Sequence, residues 1–134
     1  LKPIEGEAPM FKDLGVFQTA MALARHSGLR QALTAQNIAN ADTPGYRALE
    51  IPDFADTFRR PSADQRATRE RHLNGLREDG LPEPTFRRNS VDPNGNAVSL
   101  EDEMVAAVEA SRKHGRALSV YRSSLNILRA SLAR

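Results

Sequence analysis

NIANADTPGY, residues 37–46, closes a helical segment on small, polar and turn-forming residues. It holds no nucleophile beside a base, no pair of metal ligands and no glycine loop of phosphate-binding spacing. Its reading is therefore mechanical. Asn40 and Asp42 tolerate the left-handed and turn conformations in which helices end. Thr43 precedes Pro44, whose ring pushes it out of helical backbone space. Pro44-Gly45 suits the centre of a type II turn, with proline presetting φ and glycine taking φ > 0. Tyr46 is expected to pack its ring back on the helix and point its hydroxyl outward. Asn37 and Asn40 lie one turn apart, where their amides can cap loops or reach a neighbouring subunit. The stretch is a joint that stops a helix and sends the chain off in a fixed direction.

Upstream of the joint the spacing predicts a helix from about Asp13 to Asn40. Its stripe runs Leu14, Phe17, Met21, Ala24, Gly28, Gln31, Ala35, Ile38, a period near 3.5 broken only by Gln31. Residues 1–12 carry two prolines and a glycine and are expected to form a flexible leader. Downstream, residues 43–98 change character. Prolines 44, 52, 61, 82, 84 and 93 interrupt them, and arginine is abundant. This predicts an irregular middle segment with short extended pieces near Ala48–Phe54, Pro84–Arg88 and Ala97–Ser99. Asn94-Gly95 there is suited to a tight β-hairpin turn.

From Leu100 the periodicity returns without a slip: Leu100, Met104, Ala107, Ser111, His114, Leu118, Tyr121, Leu125, Leu128, Leu132. Ser99 before it and Asp102 three residues on form a capping-box-like start. Glu101, Asp102 and Glu103 crowd the first turn, and arginines dominate the rest, which complements the helix dipole. The expected fold is mainly α: long N-terminal (13–42) and C-terminal (99–134) helices paired as a coiled-coil-like hairpin in one structural domain. Leu118, Tyr121, Leu125 and Leu128 are expected in the packing, faced by Phe17, Met21 and Ile38. Pairing the two seams alone leaves Leu29, Leu33, Val105, Val108, Val120 and Ile127 on flanking faces. Some of these stay exposed in a monomer, which points to assembly.

The 134 residues suit one domain; 40% are hydrophobic and 5% aromatic, which permits a thin aliphatic core. No cysteine occurs, so disulfides and thiolate metal sites are excluded. The net charge of +2 announces no polyanion partner. No apolar run approaches the roughly 18 residues of a membrane helix. No basic start precedes an apolar h-region, so a cleaved secretory signal is not expected.

The stretch ALTAQNIANADTPGYRALEIPDF (32–54) resembles the signature of bacterial flagellar rod and hook proteins. From Met10 to Arg134 the chain is similar in order to the proximal-rod members of that family: helix, joint, short DF segment, variable middle, heptad helix. His72-Leu73 and NGNAVSLEDEM (94–104) also resemble the family pattern, whereas the Arg-rich middle departs from it. The resemblance implies a structural subunit whose terminal helices pack with those of neighbours into a helical tube. It implies as partners other rod subunits, the inner-membrane ring with its rod adaptor, and the flagellar type III export apparatus. It implies a place in the periplasmic part of the basal body, reached without a cleaved signal, and no cofactor. The joint residues it singles out are Asn37, Asn40, Asp42, Thr43, Pro44, Gly45 and Tyr46. The assembly residues are Leu14, Phe17, Met21, Ile38, Met104, Leu118, Tyr121, Leu125, Leu128 and Leu132.

Other readings are weaker. His26 and His114 fall on opposite helices without a carboxylate at ligand spacing, so packed histidines are favoured over a bridging metal. No serine sits in a nucleophile-elbow or triad-like context, and no enzyme is expected. Eight arginines between residues 59 and 88 face five acids there with one interleaved aromatic, Phe86. That favours a solvated loop or polar subunit contact over nucleic acid. A free helical adaptor, binding one partner through the C-terminal seam, is the remaining alternative class.

Overall fold

The computed structural model describes residues 8–59, 80–88 and 98–133. In chain order the elements are α1 (Ala8–Ala39), β1 (Leu49–Glu50), α2 (Phe54–Arg59), β2 (Thr85–Phe86) and α3 (Leu100–Leu132). α1 begins ahead of the expected start at Asp13, with Pro9 in its first turn, where a missing N–H is tolerated. The Asn94-Gly95 turn, His72 and most of the Arg-rich stretch lie outside the described residues.

α1 and α3 pack along their lengths as an antiparallel hairpin. Phe17 stacks on Tyr121 with ring centroids 4.7 Å apart. His114 Nδ1 lies 3.1 Å from the Ala24 carbonyl oxygen, and Asn37 meets Glu103. As numbers rise along α1, those of the partners fall along α3. Ser99 caps α3 from extended backbone (φ −89, ψ 115), its hydroxyl accepting from the Asp102 N–H at 3.4 Å. Among the described residues no helix is long and apolar enough to cross a membrane.

The seam differs by one residue from half of the apolar spacing. On α3 the inward residues are Glu103, Ala107, Ala110, His114, Ala117, Tyr121, Ser124 and Leu128, a regular 4-3 repeat. Ala107, His114, Tyr121 and Leu128 belong to the expected stripe. Glu103, Ala110, Ala117 and Ser124 are the fully buried members, where the spacing assigns Met104, Ser111, Leu118 and Leu125. α1 is rotated in the same sense. Ala20, Ser27 and Thr34 are buried where Met21, Gly28 and Ala35 are expected, while Phe17, Ala24, Gln31 and Ile38 keep their inward places.

The physical reason is size. Interaxial distance follows the side chains at the contact, and Ala, Ser and Thr let two helices approach closely. The larger aliphatics lie beside this narrow seam or beyond it. Phe17, Met21, Ile38, Leu118, Tyr121, Leu125 and Leu128 are half-buried, while Leu14, Met104 and Leu132 are 43, 57 and 78% exposed.

α1 carries a second inward face one step round, His26, Arg30, Leu33 and Asn37, which holds the middle segment. Leu33 is thereby buried rather than left on a flank. Ala48 and Ile51 are buried beside that face. β1 pairs with β2 antiparallel, Leu49 opposite Phe86 and Glu50 opposite Thr85. Two of the expected extended pieces therefore meet each other across a long separation in sequence.

Candidate functional site

The helix leaves its regular form at the joint by tightening. The Asn40 N–H is shared between the Gln36 and Asn37 carbonyls at 3.2 Å each, and the Ala41 N–H bonds to Ile38 at 3.2 Å. Among the described residues none but glycine has positive φ, so of the two conformations that end helices Asn40 and Asp42 take the turn and not the left-handed one. The stop is made instead by hydrogen bonds of the 3₁₀ kind. Asn40 Nδ2 donates to the Gln36 carbonyl at 2.8 Å, and the Thr43 hydroxyl donates to Asn40 Oδ1 at 3.2 Å.

The turn follows directly. The Tyr46 N–H reaches the Thr43 carbonyl at 3.3 Å across Pro44-Gly45, with Gly45 at φ +74. That is the backbone a type II turn demands at its third residue. Pro44, Gly45, Asp42 and Thr43 are exposed. The Tyr46 hydroxyl, expected outward, turns inward and donates to Asn37 Oδ1 at 3.0 Å. Burial, and secondarily the charge of Glu103, raise its pKa above the ordinary tyrosine value.

Asn37 is the centre of the joint and is fully buried. Its Oδ1 accepts from the Tyr46 hydroxyl and from the Leu49 N–H, both at 3.0 Å. Its Nδ2 donates to the Leu49 carbonyl at 2.9 Å and to Glu103 Oε2 at 3.1 Å. A carboxamide offers two donors and two acceptor lone pairs, and all four are used. Asn37 thus fixes the start of β1 on α1 and ties both to α3.

Two residues outside the expected site complete it. Glu103 has no exposed surface, and its second oxygen, Oε1, accepts from Arg87 Nη1. Arg87 Nε donates to Glu50 Oε2 at 3.1 Å, and the Arg87 N–H donates to the Ala48 carbonyl at 2.8 Å. Burial works against the guanidinium's charge, but the hydrogen bonds it donates to Glu103 and Glu50 outweigh it, so its pKa is raised. Glu103 reads from sequence as one of three acids at a helix start. The signal that separates it is register, because it stands four residues before Ala107 on the inward repeat. Nothing in the sequence singles out Arg87 among its neighbours.

The segment after the joint is pinned further along α1. His26 Nε2 lies 2.7 Å from the Pro52 carbonyl, and its ring meets Phe54 edge-on at 5.6 Å. Arg30 Nη1 pairs with Asp53 Oδ1 at 2.5 Å. Burial lowers the His26 pKa, with Arg30 adding to the effect and the Pro52 bond opposing it. The Arg30 hydrogen bond lowers that of Asp53. His26 bonds to the Pro52 carbonyl, between β1 and α2, and His114 to the Ala24 carbonyl on α1, so each ring is engaged by a different stretch of backbone. Among the described residues no group of three or more His, Cys, Asp and Glu could hold a metal ion.

Toward the other end of the hairpin the residues act by shape. An apolar groove of about 540 Å³ runs between the helices, lined among others by Val16, Thr19, Leu23, Ala117 and Val120. Val105, Val108, Val120 and Ile127 are 60, 52, 38 and 54% exposed. The arrangement offers a polar bracket near one end of the hairpin and an apolar groove toward the other.

Residues 18–47, which span most of α1 and the turn, match the family model described as flagella basal body rod protein. The chain is also similar to the flagellar basal body rod protein FlgB of Agrobacterium fabrum (strain C58 / ATCC 33970). The two are 28% identical over 115 residues, covering 81% of this chain and 85% of that protein. The matched region is the part whose geometry the bracket fixes, and the longer similarity reaches well beyond it. The chain is thus similar, over α1 and the turn, to flagella basal body rod proteins and, over most of its length, to one flagellar basal body rod protein.

Proposed function

We propose that this chain is a subunit of the proximal rod, the part of the drive shaft nearest the inner-membrane ring, and that it polymerises helically through α1 and α3. The observation that supports this reading is the division of side chains in the hairpin. Small residues close the pair from within, and Leu14, Val16, Met104, Val105, Val108, Val120, Ile127 and Leu132 remain outside it. Fully covering one such aliphatic side chain contributes about 1.5–3 kcal/mol, so a repeated contact between copies gains several such terms. The partners in this reading are other rod subunits, the membrane ring with its adaptor and the type III export apparatus, with export unaided by a cleaved signal. The joint residues set the direction in which the middle segment leaves the helices, and the seam-flanking leucines join the packing between copies.

The test is deletion of the gene in its bacterium with electron microscopy of isolated basal bodies, complemented by Val120→Asp and Ile127→Asp. Membrane rings without rods in the deletion support the proposal. Both residues are exposed in the chain, so each variant should keep its stability within about 0.5 kcal/mol and still fail to restore rods. Complete flagella in the deletion would overturn the proposal in favour of a free helical adaptor. Rods restored by both variants would remove this face from the packing.

A further inference from the structure

The chain Tyr46–Asn37–Glu103–Arg87–Glu50 joins the joint, both long helices and the arm formed by residues 80–88. The charges in it are unevenly placed. Glu103 sits on the α1–α3 seam with no exposed surface, and Arg87, on the arm, is the cation that pairs with it. Glu50 holds the other side of that guanidinium, and its side chain is 45% exposed. A carboxylate in such a place is tolerated when paired and strongly unfavourable when left alone. The arm therefore decides whether α3 can close on α1 at this end.

We propose that residues 80–88 are a latch: the hairpin closes at the joint when Arg87 is seated, and opens there when the arm leaves. The coupling runs through the charge on Glu103, and it is reciprocal. Withdrawing Arg87 strands the carboxylate inside the seam. Neutralising Glu103 lets the seam close without the arm, because a glutamine oxygen still accepts from Asn37 Nδ2. The Arg87 N–H to the Ala48 carbonyl and the β1–β2 pairing supply the arm's own hold, so its seating does not rest on the ion pair alone. The proposal concerns the isolated chain and stands apart from where that chain assembles.

The experiment is amide hydrogen exchange on the full chain, comparing wild type, Arg87→Met, Glu103→Gln and the double variant. In Arg87→Met, peptides covering residues 37–50 and 100–107 should exchange faster by about 100-fold or more, the consequence of an unpaired buried charge. In Glu103→Gln those peptides should stay protected while residues 80–88 lose protection. The double variant should recover protection at 37–50 and 100–107 relative to Arg87→Met alone. If Arg87→Met unfolds the chain outright, recovery in the double variant still reports the coupling. Unchanged exchange at 100–107 in Arg87→Met, or a double variant as open as Arg87→Met, would overturn the latch.

Discussion

The two ends of the α1–α3 hairpin are held by different physics. At the joint end Asn37 and Glu103 are fully buried, and every polar atom of their side chains has a partner. At the other end a stacked Phe17–Tyr121 pair and a column of small residues hold the helices beside an open apolar groove. Polar networks of the first kind are directional and fail when one member changes. Apolar contacts of the second kind are adaptable and can be completed by another molecule. One end of the hairpin is thus built to be unique, and the other leaves surface to be covered.

The largest expected effect comes from one atom at the unique end. Asn37→Asp replaces the Nδ2 donor with an oxygen facing Glu103 Oε2 at 3.1 Å and leaves the Leu49 carbonyl without its partner. Loss of about 3–5 kcal/mol is expected, read as a fall in the urea midpoint with an unchanged slope. A variant within 1 kcal/mol of wild type, on the order of an ordinary surface change, would mean the bracket is ornamental. Next comes the turn. Gly45 at φ +74 has nothing within 4 Å of where a Cβ would stand, so the penalty there is backbone strain alone. Gly45→Val should cost about 1–3 kcal/mol and Gly45→Asn clearly less, because asparagine tolerates this region. Equal losses in both would point to a clash that the geometry does not contain.

How much of this was legible in the sequence differs between the same two regions. The Pro44-Gly45 turn, the Ser99 cap and the pairing of two long helices follow from local preferences, which the residues carry with them. The register of the seam does not. Periodicity weights large apolar residues, so it selects Met104, Leu118 and Leu125, whereas close helix approach selects Ala110, Ala117 and Ser124, and the bonds to Asn37 and Arg87 bring in Glu103. The stripe of leucines is real but marks the side of the seam rather than its centre. The Tyr46 hydroxyl turns inward because its partner, Asn37, is satisfied only in three dimensions. Glu103 and Arg87 escaped for the same reason: they lie sixteen residues apart, and their pairing depends on an arm whose path the sequence does not state.

Smaller effects test the adaptable region. Ser27 is 1% exposed, and its Oγ has no partner among the described residues. A buried hydroxyl without a hydrogen bond is costly, so Ser27→Ala should raise stability by about 1 kcal/mol. Gly28 beside it faces His114, whose Cε1 would lie 3.9 Å from an added Cβ, an ordinary contact. Gly28→Ala should therefore gain a similar amount, about 1 kcal/mol, from helix propensity. Thermal melts of the two variants check both. A loss in either would show that the seam is packed more tightly than its small residues imply.

The smallest effect is a pH dependence, and it belongs to the segment pinned between the two ends. Burial holds the His26 pKa below its ordinary value, so the folded chain keeps the ring neutral where the unfolded chain takes up a proton. In that window the unfolded state binds more protons, and stability rises with pH. The contribution is fully present above the unfolded pKa of about 6.5 and is lost as pH falls toward the lower folded value. Asp53, lowered by Arg30, acts in the same sense in the more acidic carboxylate range. The urea midpoint should therefore fall between pH 7.5 and 5.5, and His26→Gln should flatten that fall. An unchanged fall in His26→Gln would place the titrating group elsewhere and free the Pro52 contact from any part in acid sensitivity.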